Sequence, residues 1–321
     1  MRAIIVKAPG GPEALQEADL PEPVPGRGQV RVRVAAAAVN PVDVGVRAGV
    51  IAANGLMPRP GEPGEPGARE AFGLGWDVAG TVDAVGPDVG HLAVGDEVFG
   101  LKDRLDVASG THAEAVVLDA DAVARAPRSV DAVHAATVPL NGLTALQALD
   151  LLALPPGATV LVTGAAGGVG GYAVELAVQR GLRVVATAAA GDEALVRSLG
   201  AEHFVPRGAH VGDAVRQIVP GGVDGALDAA VTGLAALEAV RGGGAFVAVL
   251  GGDAVPPPLR GIRVENVWIR ADATQLAHLA ALVDAGRLTP RVARTLPLSQ
   301  AAEAHRLLEQ GGLRGRLVLT P

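Results

Sequence analysis

The run 159–163 (TVLVT) passes directly into Gly164, Ala165, Ala166, Gly167, Gly168, Val169 and Gly170, and then into a helical pattern over 171–177 (GYAVELA). That order predicts a buried strand, a glycine turn and a helix. Glycines at 164, 167 and 170 permit a tight turn, let a pyrophosphate approach the backbone, and let the new helix pack closely on its strand. The helix start adds unpaired N–H groups and the positive end of the dipole. A second strand, 183–187 (RVVAT), follows at the spacing of a β-α-β unit. A glycine turn alone is a common structural device, and this chain has 44 glycines. The strand before it and the helix after it mark this one as a dinucleotide site.

The chain has 321 residues, 49% of them hydrophobic, which suits a globular protein of about two domains. Its net charge of -7 is spread along the sequence, and no basic patch interleaves with aromatics. Nucleic acid and anionic membrane are therefore poor partners, and a small-molecule substrate is expected. The absence of cysteine excludes disulfides, a thiolate nucleophile and cysteine-ligated zinc. No apolar run reaches the ~18 residues of a membrane span. The N-terminus opens on a strand-like 3–6 (AIIV) rather than a signal peptide, so a cytoplasmic location is expected.

Three parts are expected. Residues 1–124 read as β-rich, with 29–34 (QVRVRV) alternating at the strand period, and suggest a small, twisted, partly open barrel. From 125 to 263 strands alternate with helices, which implies a doubly wound parallel sheet of α/β class. Residues 264–321 supply a strand-like 264–269 (VENVWI), helices near 275–285 and 300–310, and a closing strand 316–320, and should return to the first domain. The patch 58–67 (PRPGEPGEPG) reads either as a plain loop or as a lid, since it leads into Phe72 and Trp76 in an aromatic-poor chain.

Several segments together resemble one family. They are the N-terminal MRAI, 38–43 (AVNPVD), 75–80 (GWDVAG), Val85 with Gly86, 94–98 (VGDEV), 142–145 (GLTA), the glycine turn and 315–319 (GRLVL). Their order and spacing resemble the zinc-independent quinone oxidoreductase (zeta-crystallin-like) branch of the medium-chain dehydrogenase/reductase superfamily, across nearly the whole chain. The resemblance implies a GroES-like (chaperonin-10-like) β-barrel catalytic domain, an inserted Rossmann domain, and a nicotinamide meeting its substrate in the cleft between them.

Zinc relatives bind their catalytic metal through a cysteine and a histidine at positions that here resemble Asn40 and Trp76. Neither side chain replaces a thiolate or an imidazole, so no metal is expected. Without a metal to polarise a carbonyl, the natural acceptor is a quinone or an α,β-unsaturated carbonyl, whose enolate needs hydrogen-bond donors. Asn40 is the candidate donor, with capping of the Asn-Pro-Val-Asp turn as its alternative. Asp43 either orients a pocket partner or caps a helix. The family's pocket tyrosines are replaced near Gly45 and Ile51, and the only tyrosine is Tyr172, beyond the glycine turn. His112 is then a candidate proton donor, alongside solvent.

NAD sites place an acidic residue ~20 positions past the glycines to hold the ribose 2′-hydroxyl. Here the second strand ends at Thr187 and Ala188 with no acid, which favours NADPH over NADH. Arg207 is the first choice for the 2′-phosphate and Arg197 the second, although either can equally be a solvated surface arginine. Asp192 is read as a helix cap. The family's usual lysine and tyrosine have no counterpart, which is the counterweight. The resemblance adds Thr144, alternatively an N-cap, and Gly251 near the nicotinamide. It also implies a homodimer joined through the edge strand 264–269. A non-redox cyclase, isomerase or lyase, or a nucleotide-responsive binding protein, is the alternative to a reductase.

Overall fold

The structure, a computed structural model, describes residues 1–57, 70–105, 107–251 and 255–321. The patch 58–67, read from sequence as loop or lid, lies outside the described residues. The chain divides into two compact units: Met1–Leu140 with Arg270–Gly286 and Pro290–Pro321, and Asn141–Ile269 with Arg287–Thr289. Composition alone put the first change near 125. Val123–Arg125 pairs with Glu97–Leu101 as an end strand of the first unit's sheet, and the first unit continues to Leu140.

The first unit contains a seven-stranded sheet, with path Val292–Pro297, Arg316–Thr320, Gln29–Val39, Asp77–Val85, Glu97–Leu101 and Val123–Arg125, and with Ala115–Asp119 paired to Gln29–Val39. Alternation along Gln29–Val39 buries Val30, Val32 and Val34 while Arg33 faces water. These valines pack with Val78, Val82, Val98, Val116 and Leu118 in one apolar interior. A second sheet joins Leu15–Asp19, Arg2–Val6 and Phe72–Gly73. The returning chain adds the helices Ala273–Asp284 and Ala301–Gln310 and the central strand Arg316–Thr320.

The second unit is a six-stranded parallel sheet in the order His203–Pro206, Arg183–Ala188, Thr159–Thr163, Val223–Asp228, Val240–Ala248 and Arg263–Asn266. Numbered within this unit, that is the doubly wound order 3-2-1-4-5-6, which reverses beside Thr159–Thr163. All of Thr159–Thr163 is buried, as befits a parallel strand covered on both faces. Leu161, Val185 and Phe246 from the sheet pack with Val211, Val215 and Leu237 from its helices. The edge strand is shorter than the expected 264–269. It ends at Asn266, after which Val267 N–H still reaches the Ala248 carbonyl at 2.9 Å but Trp268 turns out to 67% exposure.

Candidate functional site

In the second unit the glycines divide their tasks. Gly164 takes φ +62°, a left-handed conformation that favours glycine. At Gly170 an added Cβ would lie 2.2 Å from the Gly164 carbonyl oxygen, so this glycine is required for the helix Gly168–Gln179 to pack against the turn. At Gly167 a Cβ would meet only that same oxygen, at 3.1 Å, and the backbone there is ordinary (φ -79°). Gly167, Gly168 and Val169 are half-buried, whereas Ala166 and Gly170 are buried. The open backbone thus sits at the start of a helix 12 residues long, where N–H groups and dipole favour an anion. The Ala165 N–H donates to the Thr187 carbonyl at 2.9 Å and ties the turn to the next strand.

That next strand presents small buried ends, Thr187 and Ala188. The Arg207 N–H donates to the Ala188 carbonyl at 2.6 Å, so Arg207 stands beside the strand end. Its exposed guanidinium has no side-chain partner among the described residues. Arg197, in contrast, is engaged by Glu193 at 2.8 Å and the Glu202 carbonyl at 3.1 Å. Asp192 occupies the N-cap position of Glu193–Ser198, but its side chain makes no cap bond there, contrary to the sequence expectation. Thr144 is not an N-cap either, since it lies inside the helix Pro139–Leu152. Gly251 is exposed, and a Cβ there would come within 3.2 Å of the Asn266 amide and 3.7 Å of the Trp268 ring. With its amide oriented to suit its neighbours, Asn266 donates to the carbonyls of Ala248 (2.9 Å) and Leu250 (3.1 Å).

Sequence reasoning missed the clamp across the sheet's C-terminal edge. Thr163 Oγ1 donates to Asp228 Oδ1 at 2.6 Å and accepts from the Ala230 N–H at 3.0 Å. Asp228 also accepts from the Gly233 N–H at 2.7 Å and from Thr232 Oγ1 at 2.9 Å. The available signal was a polar residue ending each of two strands that the topology makes neighbours.

The first unit brings Asn40 and Asp43 together as a closed polar core. Asp43 Oδ2 accepts from the Asn40 backbone N–H at 2.8 Å, capping the helix Pro41–Arg47, and Oδ1 accepts from the Gly75 N–H at 2.9 Å. The Asn40 Nδ2 donates to Asp77 Oδ2 at 2.8 Å, and its Oδ1 accepts from the Arg316 guanidinium. Asp77 Oδ1 in turn accepts from the Leu140 N–H at 2.6 Å, in the first turn of Pro139–Leu152. Asn40, Asp43 and Asp77 are all 0% exposed. Burial pushes the Asp77 carboxyl up to about 7 against the pull of Asn40, Leu140 and Arg316. Burial also raises Asp43, opposed by His112 and by the Asn40 and Gly75 N–H groups.

This geometry describes the surroundings of two candidate residues. Asn40 is engaged on both ends of its amide, with Asp77 and with Arg316. His112 is 1% exposed, with Nε2 at 3.1 Å from the Ala38 carbonyl and its ring edge-on to His305 at 6.4 Å. Near Gly45 a Cβ would meet Ile51 at 3.2 Å, so these two positions lie against each other. The donor set does not suit zinc: Asn40 is held by a guanidinium, Trp76 is an indole, and among the described residues no group of three or more histidine, cysteine or carboxylate side chains could hold a metal. Among the described residues no helix is long and apolar enough to cross a membrane.

Comparison with known proteins gives a consistent picture. Residues 26–128 match the alcohol dehydrogenase GroES-like domain, and residues 199–319 match a family described as zinc-binding dehydrogenase. The spectinabilin polyketide synthase system protein NorB of Streptomyces orinoci is 36% identical over 307 residues, covering 91% of this chain but only 13% of that protein. A chloroplastic NADPH-dependent alkenal/one oxidoreductase of Arabidopsis thaliana is 31% identical over 330 residues, covering 100% of this chain and 80% of that one. The solved structure of the quinone oxidoreductase from Coxiella burnetii superposes with a TM-score of 0.85 at 29% identity, covering 100% and 99% of the two chains.

Proposed function

We propose that this chain, which belongs to the medium-chain dehydrogenase/reductase superfamily in its quinone and enone reductase branch, is a nicotinamide-dependent oxidoreductase that reduces quinones or α,β-unsaturated carbonyls with NADPH and without a metal. The observation that carries the NADPH assignment is the end of Arg183–Ala188. It offers no carboxylate to repel a 2′-phosphate, and Arg207 stands beside it with an exposed, uncommitted guanidinium. The names of the Arabidopsis and Coxiella relatives support the acceptor class.

In this reading the backbone of Gly164, Ala166, Gly167, Gly168, Val169 and Gly170 forms the pyrophosphate cradle, with Thr187, Ala188 and Arg207 at the adenosine ribose and Thr144 and Gly251 toward the nicotinamide. When bound, the reduced nicotinamide supplies a hydride to the electron-poor carbon. Asn40 and Asp43 act as positioning residues: their bonds to Asp77, Arg316 and Gly75 fix the loop that carries Trp76. With Asn40, His112 and Asp43 buried, solvent protonates the enolate. Arg263–Asn266, the outermost strand of its sheet, offers an edge for pairing with a second copy, and the exposed Trp268 just beyond it favours cover. The likeness to NorB supports a role in specialised biosynthesis.

Mixing the purified chain with NADPH and a panel of quinones and enones tests the proposal through loss of reduced-nicotinamide absorbance. Turnover with NADPH well ahead of NADH supports it. Tight NADPH binding with no turnover across the panel would instead favour the cyclase, isomerase or binding-protein alternative.

A further inference from the structure

Lys7 and Lys102 are the lysines of this arginine-rich chain. Lys7 is exposed on the surface. Lys102 follows Glu97–Leu101 and lines a cavity of about 330 Å³ in the first unit. Pro23, Val107, Leu118 and Ala122 give that cavity apolar walls, and Gln29 and Ser109 add polar ones. The Lys102 Nζ donates to the Val117 carbonyl at 2.7 Å, and among the described residues it has no carboxylate within ion-pair distance. The carboxylates that line the cavity are turned to other work: Asp103 accepts from the Ala271 N–H at 2.7 Å and Asp119 from Gln29 Nε2 at 2.9 Å.

We propose that this cavity is a covalent capture site for small neutral aldehydes, in which Lys102 Nζ is the nucleophile. The charges around it favour a neutral ligand over an ion, because Lys102 and Arg104 are offset by Asp103 and Asp119. A backbone carbonyl is a suitable partner for a reactive amine. It accepts one N–H while the remaining valence of the neutral nitrogen stays free toward the cavity. Burial supports the neutral form by drawing the ammonium below its ordinary range, with Arg104 adding to the effect and Asp119 opposing it.

The balance is that of an ordinary condensation. The nitrogen lone pair forms a bond to the carbonyl carbon and the C–O bond breaks. The oxygen leaves as water with one amine proton and one proton from solvent. The protonated imine keeps one N–H, which the Val117 carbonyl can accept. A lysine that merely stapled the end of Glu97–Leu101 to Ala115–Asp119 would gain nothing from an open cavity, and arginine would serve as well.

The test compares the two lysines within one molecule, with one variant as a control. The intact chain is exposed briefly to propanal with cyanoborohydride at neutral pH, and peptide mass spectrometry reads alkylation at each site. Lys102 is expected to be alkylated several-fold faster than exposed Lys7, and Lys102→Arg should abolish that signal with no change in melting temperature. Alkylation of Lys102 at the rate of Lys7 or slower would overturn the proposal.

Discussion

The glycine turn of the second unit and the polar core of the first solve opposite problems. The turn leaves its backbone half-buried, not closed, at Gly167, Gly168 and Val169, and a Cβ on Gly167 would meet only the Gly164 carbonyl oxygen, at 3.1 Å. The core turns its amide and carboxylates inward, through Asp43, Asn40, Asp77 and Arg316, and closes to 0% exposure at three of them. An open turn is built to bind, and a closed network is built to hold shape. The difference teaches that a polar residue at a family site position is to be judged by what its atoms already bond.

The largest effect expected is at Gly170. Gly170→Val drives side-chain atoms into the Gly164 carbonyl and should cost about 3 kcal/mol or more, read by urea unfolding, if the protein folds at all. Gly167→Asp should do the reverse: aspartate is a good N-cap, so stability holds, while its charge and bulk lower dinucleotide affinity by about 100-fold, near 2.7 kcal/mol, in calorimetry. Equal effects of the two substitutions on folding would erase the distinction between packing and binding glycines.

The core is tested by Asp77→Asn. Asp77 accepts two hydrogen bonds, whereas asparagine offers one acceptor oxygen, so the variant leaves a buried group unsatisfied and should lose about 2 kcal/mol. Exchanging the pair, Asn40→Asp with Asp77→Asn, reverses the donor and keeps an acceptor for Arg316, and should recover most of that loss in a double-mutant cycle. No recovery would mean that charge at position 77, not connectivity, holds the core.

The same core should respond to pH in two opposing ways. Asp77 binds its proton more tightly when folded, with a value of about 7, so it contributes stability below its unfolded value near ~3.9 that is lost as pH rises through about 7. Asp43 acts in the same direction. His305 has no partner on either ring nitrogen among the described residues, and burial, with His112 and Arg47, pulls it down to about 3. Its unfolded form takes up the proton first, so its contribution grows as pH rises from about 3 to 6.5. Unfolding free energy of His305→Leu should therefore fall as pH rises from about 4 to 7, and that of Asp77→Asn should rise relative to it.

How much of this was legible in the sequence depended on range. The turn is a largely local device, its glycine spacing written inside 159–177, and the strand periods around it mark the strands of the parallel sheet but not their order. The core is assembled from positions 40, 43, 77, 112 and 316, and nothing at Asn40 announces that its amide meets Asp77 and Arg316. Asp77 was visible only as one letter of a motif, and the Thr163–Asp228 clamp needed the strand order before it meant anything. The sequence ranked Arg207 ahead of Arg197, and the structure adds a physical reason, since Glu193 in the helix Glu193–Ser198 engages Arg197.

The smallest effects separate those arginines. Arg207→Ala should raise KM for NADPH at least about tenfold, near 1.4 kcal/mol, and leave NADH unchanged, while Arg197→Ala should move neither measurably. A loss shared by both dinucleotides would remove Arg207 from the 2′-phosphate.

The most direct measurement follows the hydrogen itself. Chelator-treated protein is given NADPH deuterated at the transferable C4 position together with a simple enone, and the product is read by mass spectrometry and NMR. Deuterium at the β-carbon, at a rate unchanged by the chelator, is the predicted result. Product without deuterium at that carbon, or activity lost to chelator and restored by zinc, would contradict metal-free hydride transfer by this chain.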